Sequence, residues 1–228
     1  LKVIISKVPS LDNDEGLEIA KNMISVANLS RQGFANGDIS TLMSPRTVIS
    51  WAENYQIFND LNKSFEITFL NKCDETERVI IAEYYQRCFD SESVDSIADD
   101  IKEAWLKLSA KNSLSESIKE AVTATSRAIS GNPEIEISFG GMGSSLPNPP
   151  RSLEELRSFR GKADSLACVE KYRDKSLKVQ SGIEKVDSLV RVMEDARVEI
   201  LGSLDYPGVA SNIQAKFSDK CKLYRDLE

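Results

Sequence analysis

Apolar residues recur three or four residues apart along most of this chain, and that spacing limits its possible folds more than any other feature. Near the start, Leu17, Ala20, Ile24 and Ala27 fall on one face of a helix. The same pattern predicts helices at about 12–30, 91–109, 115–129, 152–179, 182–201 and 209–227. We therefore expect a mainly α-helical protein of one large or two small domains, since 228 residues are enough to bury a core.

Two more helices have a recognisable beginning. Ser44 is a good N-cap, and Pro45 suits the first helical position, where its missing N–H is not needed. Asp74 is an N-cap of the same kind. These signals predict helices over about 45–58 and 74–89.

Arg46 falls in the first turn of the helix that Ser44 begins, at the positive end of the helix dipole. Its charge adds to the dipole there instead of offsetting it, which is locally unfavourable. The placement makes sense if an anion binds at this helix start, because backbone N–H groups and a guanidinium both suit phosphate. An ordinary surface arginine after a well-formed cap is the alternative. Arg46 is therefore our candidate residue for binding an anion.

The charged and metal-binding residue types exclude several functions. Residues 1–110 carry 11 Lys and Arg against 18 Asp and Glu, whereas residues 111–228 carry 18 of each. A net charge of −7 without a basic stripe argues against nucleic acid as a partner. The sequence has no histidine and four widely separated cysteines, so we expect no metal site and interpret the cysteines as buried apolar thiols.

No apolar run in the sequence approaches the roughly 20 residues of a membrane span. No segment resembles a signal peptide either. We therefore expect a cytoplasmic protein that does not act on a membrane.

Three short stretches predict something other than a regular helix. Residues 1–8 are interpreted as an edge strand or a connector, and residues 134–139 alternate polar and apolar side chains as a strand does. The glycines at 140–143 are not followed by the Lys-Ser or Lys-Thr pair of a phosphate loop, but by serines and a proline-rich stretch. We interpret 140–150 as a mobile loop that does not bind nucleotide.

Two patterns in the second half concern binding and packing. Arg160 and Lys162 flank Gly161, and one alternative is a binding role for both cations. The other alternative, which we favour, is a solvated face with a glycine at a tight helix crossing. In the helix at 182–201, one apolar stripe is expected to be buried, and its members are Val186, Leu189, Val190, Met193, Ala196 and Ile200.

The first 90 residues contain stretches that point to a known family. These stretches are 34–54, which includes Ser44-Pro45-Arg46, then 68–75 and 83–89. They resemble the C-terminal lid of CobS, the AAA+ ATPase subunit of aerobic cobaltochelatase. In that family the arginine of Ser-Pro-Arg is the sensor-2 residue that contacts the terminal phosphates of the nucleotide, a role that the resemblance gives to Arg46. We expect residues 1–110 to form this helical lid, with a short additional helix at 65–70.

The second half resembles a different subunit of the same enzyme. Its matching stretches are 128–139, 146–151, 160–167, 194–199 and 208–212. Together, over 117–212, they resemble the N-terminal region of CobT, the partner subunit. We expect residues 111–228 to form a second helical domain with a strand at 134–139 and a loop at 140–150. Each domain should bury its own core, with a small contact between them. Alternatively, the contact mimics the one between the two subunits, with acidic lid surface meeting Lys and Arg of the second half.

The resemblance implies an ATP-dependent ligase that forms nitrogen–metal bonds. Its reaction inserts cobalt(II) into the corrin ring of hydrogenobyrinic acid a,c-diamide during aerobic cobalamin biosynthesis. The implied partners are the AAA+ ring, CobT and a large subunit that binds the corrin and the cobalt, and ATP and Mg²⁺ act through the full complex only.

The sequence itself limits what this chain contributes to such a complex. It contains neither a phosphate loop nor an aspartate-rich strand of the Walker B type. We therefore expect an accessory portion that binds neither ATP nor cobalt and is inactive alone. The alternatives are a non-catalytic helical adaptor and the lid of a related AAA+ chaperone for metal-cofactor assembly.

Overall fold

The computed structural model describes residues 1–93, 95–107, 111–143, 145–174, 176 and 181–225. Within those residues the regular structure is helical, and no strand is found. The helices are α1 (Lys2–Lys7), α2 (Asp14–Asn36), α3 (Pro45–Phe58), α4 (Leu61–Thr68), α5 (Glu75–Phe89), α6 (Ile97–Lys107), α7 (Lys111–Ser130), α8 (Leu153–Tyr172), α9 (Glu184–Asp205) and α10 (Pro207–Arg225). Short 3-10 turns occupy Pro9–Leu11 and Leu70–Lys72. The prediction of a mainly α fold is confirmed.

Side-chain caps begin four of the helices in the first half. Asn13, Ser44, Asp60 and Asp74 each accept a hydrogen bond from the backbone N–H three residues further on. Such a bond satisfies one of the N–H groups that have no partner inside the helix. The helix starts predicted from Ser44 and Asp74 are therefore confirmed.

The edge strand, one of two alternatives for residues 1–8, is wrong, and so is the strand predicted at 134–139. Residues 1–8 contain the helix α1, which the buried Ile4 holds against the core. Residues 134–139 begin in a turn and contain no regular strand, and their pairing is limited to an isolated bridge between Phe139 and Leu146. The alternating pattern has another cause: every second side chain leans on the helices, as Phe139 does on Phe159 at a ring-centroid distance of 6.4 Å. One isolated bridge does not make a sheet.

The two halves of the chain share one hydrophobic core. Helix α7 packs against α2 and α5 of the first half, and α10 packs against both α5 and α8. At the start of α10, a side chain at Gly208 would collide with the backbone carbonyl of Gln86, so the two helices approach closely there. The small contact expected between the halves is therefore wrong, while a boundary near residue 111 stays a prediction.

Helix α9 packs differently from the prediction. The side that faces the molecule carries Val198, Glu199 and Gly202. Of the stripe predicted to be buried, Val190 is half-buried and the other five residues are exposed. Helix α9 packs on α8 and α10, and its opposite face is exposed in the described part of the chain. Among the described residues, no helix has the length and apolar character needed to cross a membrane.

Candidate functional site

The candidate anion-binding residue, Arg46, lies in the first turn of α3 on the surface of the protein. Ser44 begins the helix, its hydroxyl accepting a hydrogen bond from the Thr47 N–H at 3.2 Å, and Pro45 follows at the first helical position. The first turn contains no acidic residue, and Arg46 is exposed. In the described part of the chain, its guanidinium has no ion pair or hydrogen bond. The predicted helix start and accessibility are confirmed, and a role in nucleotide binding stays a prediction.

The segment that leads into α3 is held from two sides. Met43 is buried, and its backbone N–H donates to the Ser30 hydroxyl at 3.3 Å. On the other side, Glu77 accepts hydrogen bonds from the Ser40 backbone N–H and, at 2.7 Å, from the Thr41 hydroxyl. These contacts attach the start of α3 to α2 and α5, so Arg46 extends from a fixed base.

Glu77 was not predicted from the sequence, although a signal for it was present. It is three residues after the N-cap Asp74, the position from which a glutamate often reaches back to the cap. Here it reaches instead to the segment before α3. Burial by itself would raise the pKa of Glu77, but the hydrogen bonds from Thr41 and Ser40 outweigh it and hold the pKa below its ordinary value.

A buried network of charged side chains connects the two halves of the chain. Arg160 of α8 donates to both carboxylate oxygens of Glu83 on α5, from Nε at 3.1 Å and from Nη2. Arg87 donates from Nε to Asp164 of α8 at 2.9 Å and from Nη1 to Glu83 at 2.5 Å. All four side chains are 0–2% exposed. Arg160 also reaches the partly exposed Glu92. The four buried charges form two balanced pairs, which we call the Glu83–Asp164 network.

Two neutral amides add hydrogen bonds around this network, although Nη2 of Arg87 is buried without a partner in the described part of the chain. Asn212 of α10 donates to Asp164 at 2.9 Å and exchanges hydrogen bonds with Gln86 at 3.1 and 3.3 Å. Gln86 also accepts from Arg87 at 2.9 Å. Helices α5, α8 and α10 therefore meet through polar groups that water does not reach.

The pKa shifts of the two buried acids differ in sign. Burial would raise the pKa of Glu83, but the two guanidiniums of Arg160 and Arg87 outweigh it and lower the pKa. Burial also raises the pKa of Asp164, and there the contributions of Arg87 and Asn212 are too small to reverse it. Glu83 is thus the better compensated of the two carboxylates.

The structure decides between the two alternatives for Arg160 and Gly161, while a binding role for Lys162 stays untested. The favoured alternative is confirmed for Gly161, where a side chain would collide with the backbone carbonyl of Asn212 at the crossing of α8 and α10. Lys162 is exposed, but Arg160 is fully buried, so a solvated face is wrong for it. A signal for the network was visible: both helices carry an acid and an arginine four residues apart, which places the two on one helix face.

A cavity of about 400 Å³ lies between the end of α2, α5 and α7. The side chains that line it carry both signs of charge: Asp38, Glu116 and Glu120 face Lys119 and Arg127. Arg127 is already paired with Asp38 at 2.9 Å. Three acids against two cations leave the lining with a formal charge of −1, which does not favour a phosphate.

The cysteines fall into two groups. Cys88 and Cys168 are buried as predicted, whereas Cys73 is partly exposed and Cys221 is exposed, so the interpretation of all four as buried thiols is wrong. Burial raises the pKa of Cys168 to about 12 and, together with the nearby Glu77, that of Cys73 to about 11. Within the described ranges, no three His, Cys, Asp or Glu side chains are grouped as metal ligands.

Comparison with known proteins places the chain in a family. The model of the family described as "Cobalamin biosynthesis protein CobT" matches residues 112–225, which is half of the chain. The chain belongs to the CobT family. It is also 50% identical, over 102 residues, to the aerobic cobaltochelatase subunit CobS of Sinorhizobium sp; the match covers 45% of this chain and 31% of that subunit. No solved structure matches. The resemblance to subunits of aerobic cobaltochelatase is thereby confirmed for a chain that joins CobT-family sequence to a CobS-like portion.

Proposed function

We propose that this chain is an accessory part of an ATP-dependent cobaltochelatase, which inserts cobalt(II) into the corrin ring in the cytoplasm. Its CobS-like portion acts as a lid and supplies Arg46 as the sensor-2 arginine. Its CobT-family portion supplies a docking surface for other subunits. The partners are the AAA+ ring, CobT and the large subunit that holds the corrin and the cobalt.

The observation that carries this proposal is the position of Arg46. An exposed arginine in the first turn of a capped helix presents its guanidinium together with free backbone N–H groups. Both kinds of donor suit the oxygens of a phosphate. Glu77 accepts a hydrogen bond from Thr41 and so keeps this helix start in place. An arginine that contacts the nucleotide of a neighbouring subunit needs such a fixed position.

The chain does not offer a complete site for ATP and Mg²⁺. Its 228 residues contain no phosphate loop, and the glycines at 140–143 are followed by a helix only from Leu153. A single arginine fits one contact to a nucleotide that another part of the complex holds. We therefore expect isothermal titration calorimetry of the isolated chain to detect no micromolar binding of ATP or Co²⁺.

The test is the ATPase turnover of the reassembled complex. Arg46→Ala should lower turnover at least tenfold and leave the fold intact, because an exposed side chain has little packing to lose. Arg46→Lys should recover only part of the activity, since lysine cannot form a bidentate fork with phosphate. Arg191→Ala, at an exposed arginine of α9, is the matched control. Wild-type turnover in Arg46→Ala would refute the sensor role.

A non-catalytic helical adaptor is the second candidate function. The Glu83–Asp164 network favours it, because that network gives the chain a defined shape without any nucleotide. An adaptor predicts that Arg46→Ala leaves turnover unchanged, whereas deleting the whole chain abolishes assembly. A third hypothesis is that the chain is the lid of a chaperone for the assembly of another metal cofactor. Neighbouring genes that do not belong to cobalamin synthesis would support it.

A further inference from the structure

Helix α5 is covered on every side, and the two halves of the chain cover different sides. Every residue from Ile80 to Cys88 is buried, which an amphipathic surface helix would not show. One side contacts the first half, where Tyr84 reaches the backbone of Gly33 on α2 and Tyr85 stacks on Phe65 at 4.9 Å. The other side meets α7 and α10 of the CobT-family half, and its charged residues reach α8.

These two sides differ in chemistry. The side toward the first half is aromatic and aliphatic, as in an ordinary core. The side toward the CobT-family half carries Glu83, Gln86 and Arg87, and Arg160, Asp164 and Asn212 oppose them. A core that never opens has no need of four buried charges, since apolar residues of similar volume are often at least as stable. A surface that is in water before it is covered does need polar groups, and opposed charges then select the correct partner.

The residues on the two sides of this contact lie in stretches that resemble different subunits. Glu83, Gln86 and Arg87 lie in the stretch 83–89 that resembles CobS. Arg160 and Asp164 lie in the stretch 160–167, and Asn212 lies in 208–212, both of which resemble CobT. The contact between the halves is therefore made by the same parts of the chain that resemble two separate subunits.

We propose that α8 and α10 form a docking surface for the C-terminal lid of a separate CobS-type ATPase subunit, and that α5 of this chain occupies it as an internal copy of that lid. The recognised element is a helix with a glutamate and an arginine four residues apart, which meet Arg160 and Asp164. The inference rests on the proposed function, in that it names the partner of the proposed docking surface. A tethered copy has an effective concentration near millimolar, so a separate lid binds only after the internal one is released.

The experiment releases the internal copy from the intact, folded protein. Residues 108–110 are replaced by the recognition sequence of a site-specific protease, and the full chain is cut after purification. The cut chain should stay together as a one-to-one complex in native mass spectrometry. Mixing it with an isotope-labelled cut chain should produce hybrids, because a docked lid can leave and return. The CobS subunit of Sinorhizobium sp, added in excess, should displace the fragment 1–107.

Variants test whether the network is responsible. Arg160→Met should weaken the complex of the cut chain at least about thirtyfold, because it removes one partner of a buried charge pair. Arg157→Met is the matched control: Arg157 pairs across the same two halves with Asp90, but both side chains are partly exposed, so dissociation should change less than about fivefold. Exchanging the charges with Arg87→Asp and Asp164→Arg together should restore more binding than either change allows alone.

Each contrary result overturns the proposal. Loss of helical circular dichroism on cutting would mean that the two halves are one folding unit. Absence of hybrids would mean that the contact is not a docking contact, and hybrids without displacement by the CobS subunit would mean that the occupant is wrong. Failure of the sensor role is read separately: unchanged turnover in Arg46→Ala refutes that role whether or not hybrids form.

Discussion

Replacing Arg160 by methionine should destabilise the protein far more than replacing any exposed arginine. Arg160 contributes one of two positive charges to a set of four buried charges that cancel. Without it, Glu83 and Asp164 share the single cation Arg87 at sites that water does not reach. Breaking a buried pair in this way costs about 3–5 kcal/mol. Against a total stability of about 5–15 kcal/mol, that is a large fraction.

A second substitution should recover part of this loss. In the double variant with Glu83→Met and Arg160→Met, the remaining buried charges are Arg87 and Asp164, which already pair at 2.9 Å and keep Gln86 and Asn212 as hydrogen-bond partners. The buried charge is balanced again. We expect the double variant to be more stable than Arg160→Met by about 1–3 kcal/mol, because the second substitution removes the buried group that the first leaves without its partner.

Urea denaturation followed by circular dichroism measures both effects. With a slope of about 3 kcal/mol per molar urea, the upper end for small proteins, Arg160→Met should lower the midpoint by about 1–1.7 M. Arg157→Met is the control, because its pair with Asp90 has side chains 44% and 34% exposed and is worth about 0–1 kcal/mol. Equal losses for Arg160→Met and Arg157→Met would refute the argument from burial. A double variant as unstable as the sum of its singles would refute the argument from charge balance.

Three further outcomes follow from the packing and the titrating groups. Gly161→Ala should cost about 1–3 kcal/mol in the same urea assay, because its Cβ collides with backbone and not with a movable side chain. A thiol reagent should modify Cys221 within minutes under native conditions and reach Cys88 and Cys168 only on unfolding, since both are buried with raised pKa values; mass spectrometry of the labelled peptides would show a different order if the packing were wrong. Glu77 has a lowered folded pKa, so the stability that it contributes is complete above about pH 5 and is lost as the pH falls below about 4.3, the ordinary pKa of glutamate. Glu77→Gln should therefore flatten the fall in unfolding free energy with acid in that window, and an unchanged slope would contradict the clamp on α3.

Most of the helical fold was predictable because its signals are local. An N-cap bonds to a backbone N–H three residues away, so Ser44 and Asp74 mark helix starts without reference to the rest of the chain. Arg46 could be placed in the first turn of its helix for the same reason. The strand predicted at 134–139 failed because alternation reports only that every second side chain is covered, and helices can cover it as well as a second strand.

The contact between the halves could not be predicted in the same way. A stripe such as that of α9 shows that a helix has an apolar face, but not whether another element covers it. Likewise, Glu83 and Arg87 read as an ordinary surface pair four residues apart until α8 is seen to bury them. Spacing along one helix is a property of that helix alone.

Local sequence patterns were enough to establish the helical class, the capped helix that presents Arg46 and the resemblance to two subunits of one enzyme. Each depends on residues that are neighbours in the chain. The packing of the helices was needed to show that Arg160 is buried, that Asp164 pairs with Arg87, 77 positions away in the sequence, and that the two halves share a core. Those facts depend on which helices meet, and that is settled by the summed packing and desolvation of the whole molecule and not by any one segment.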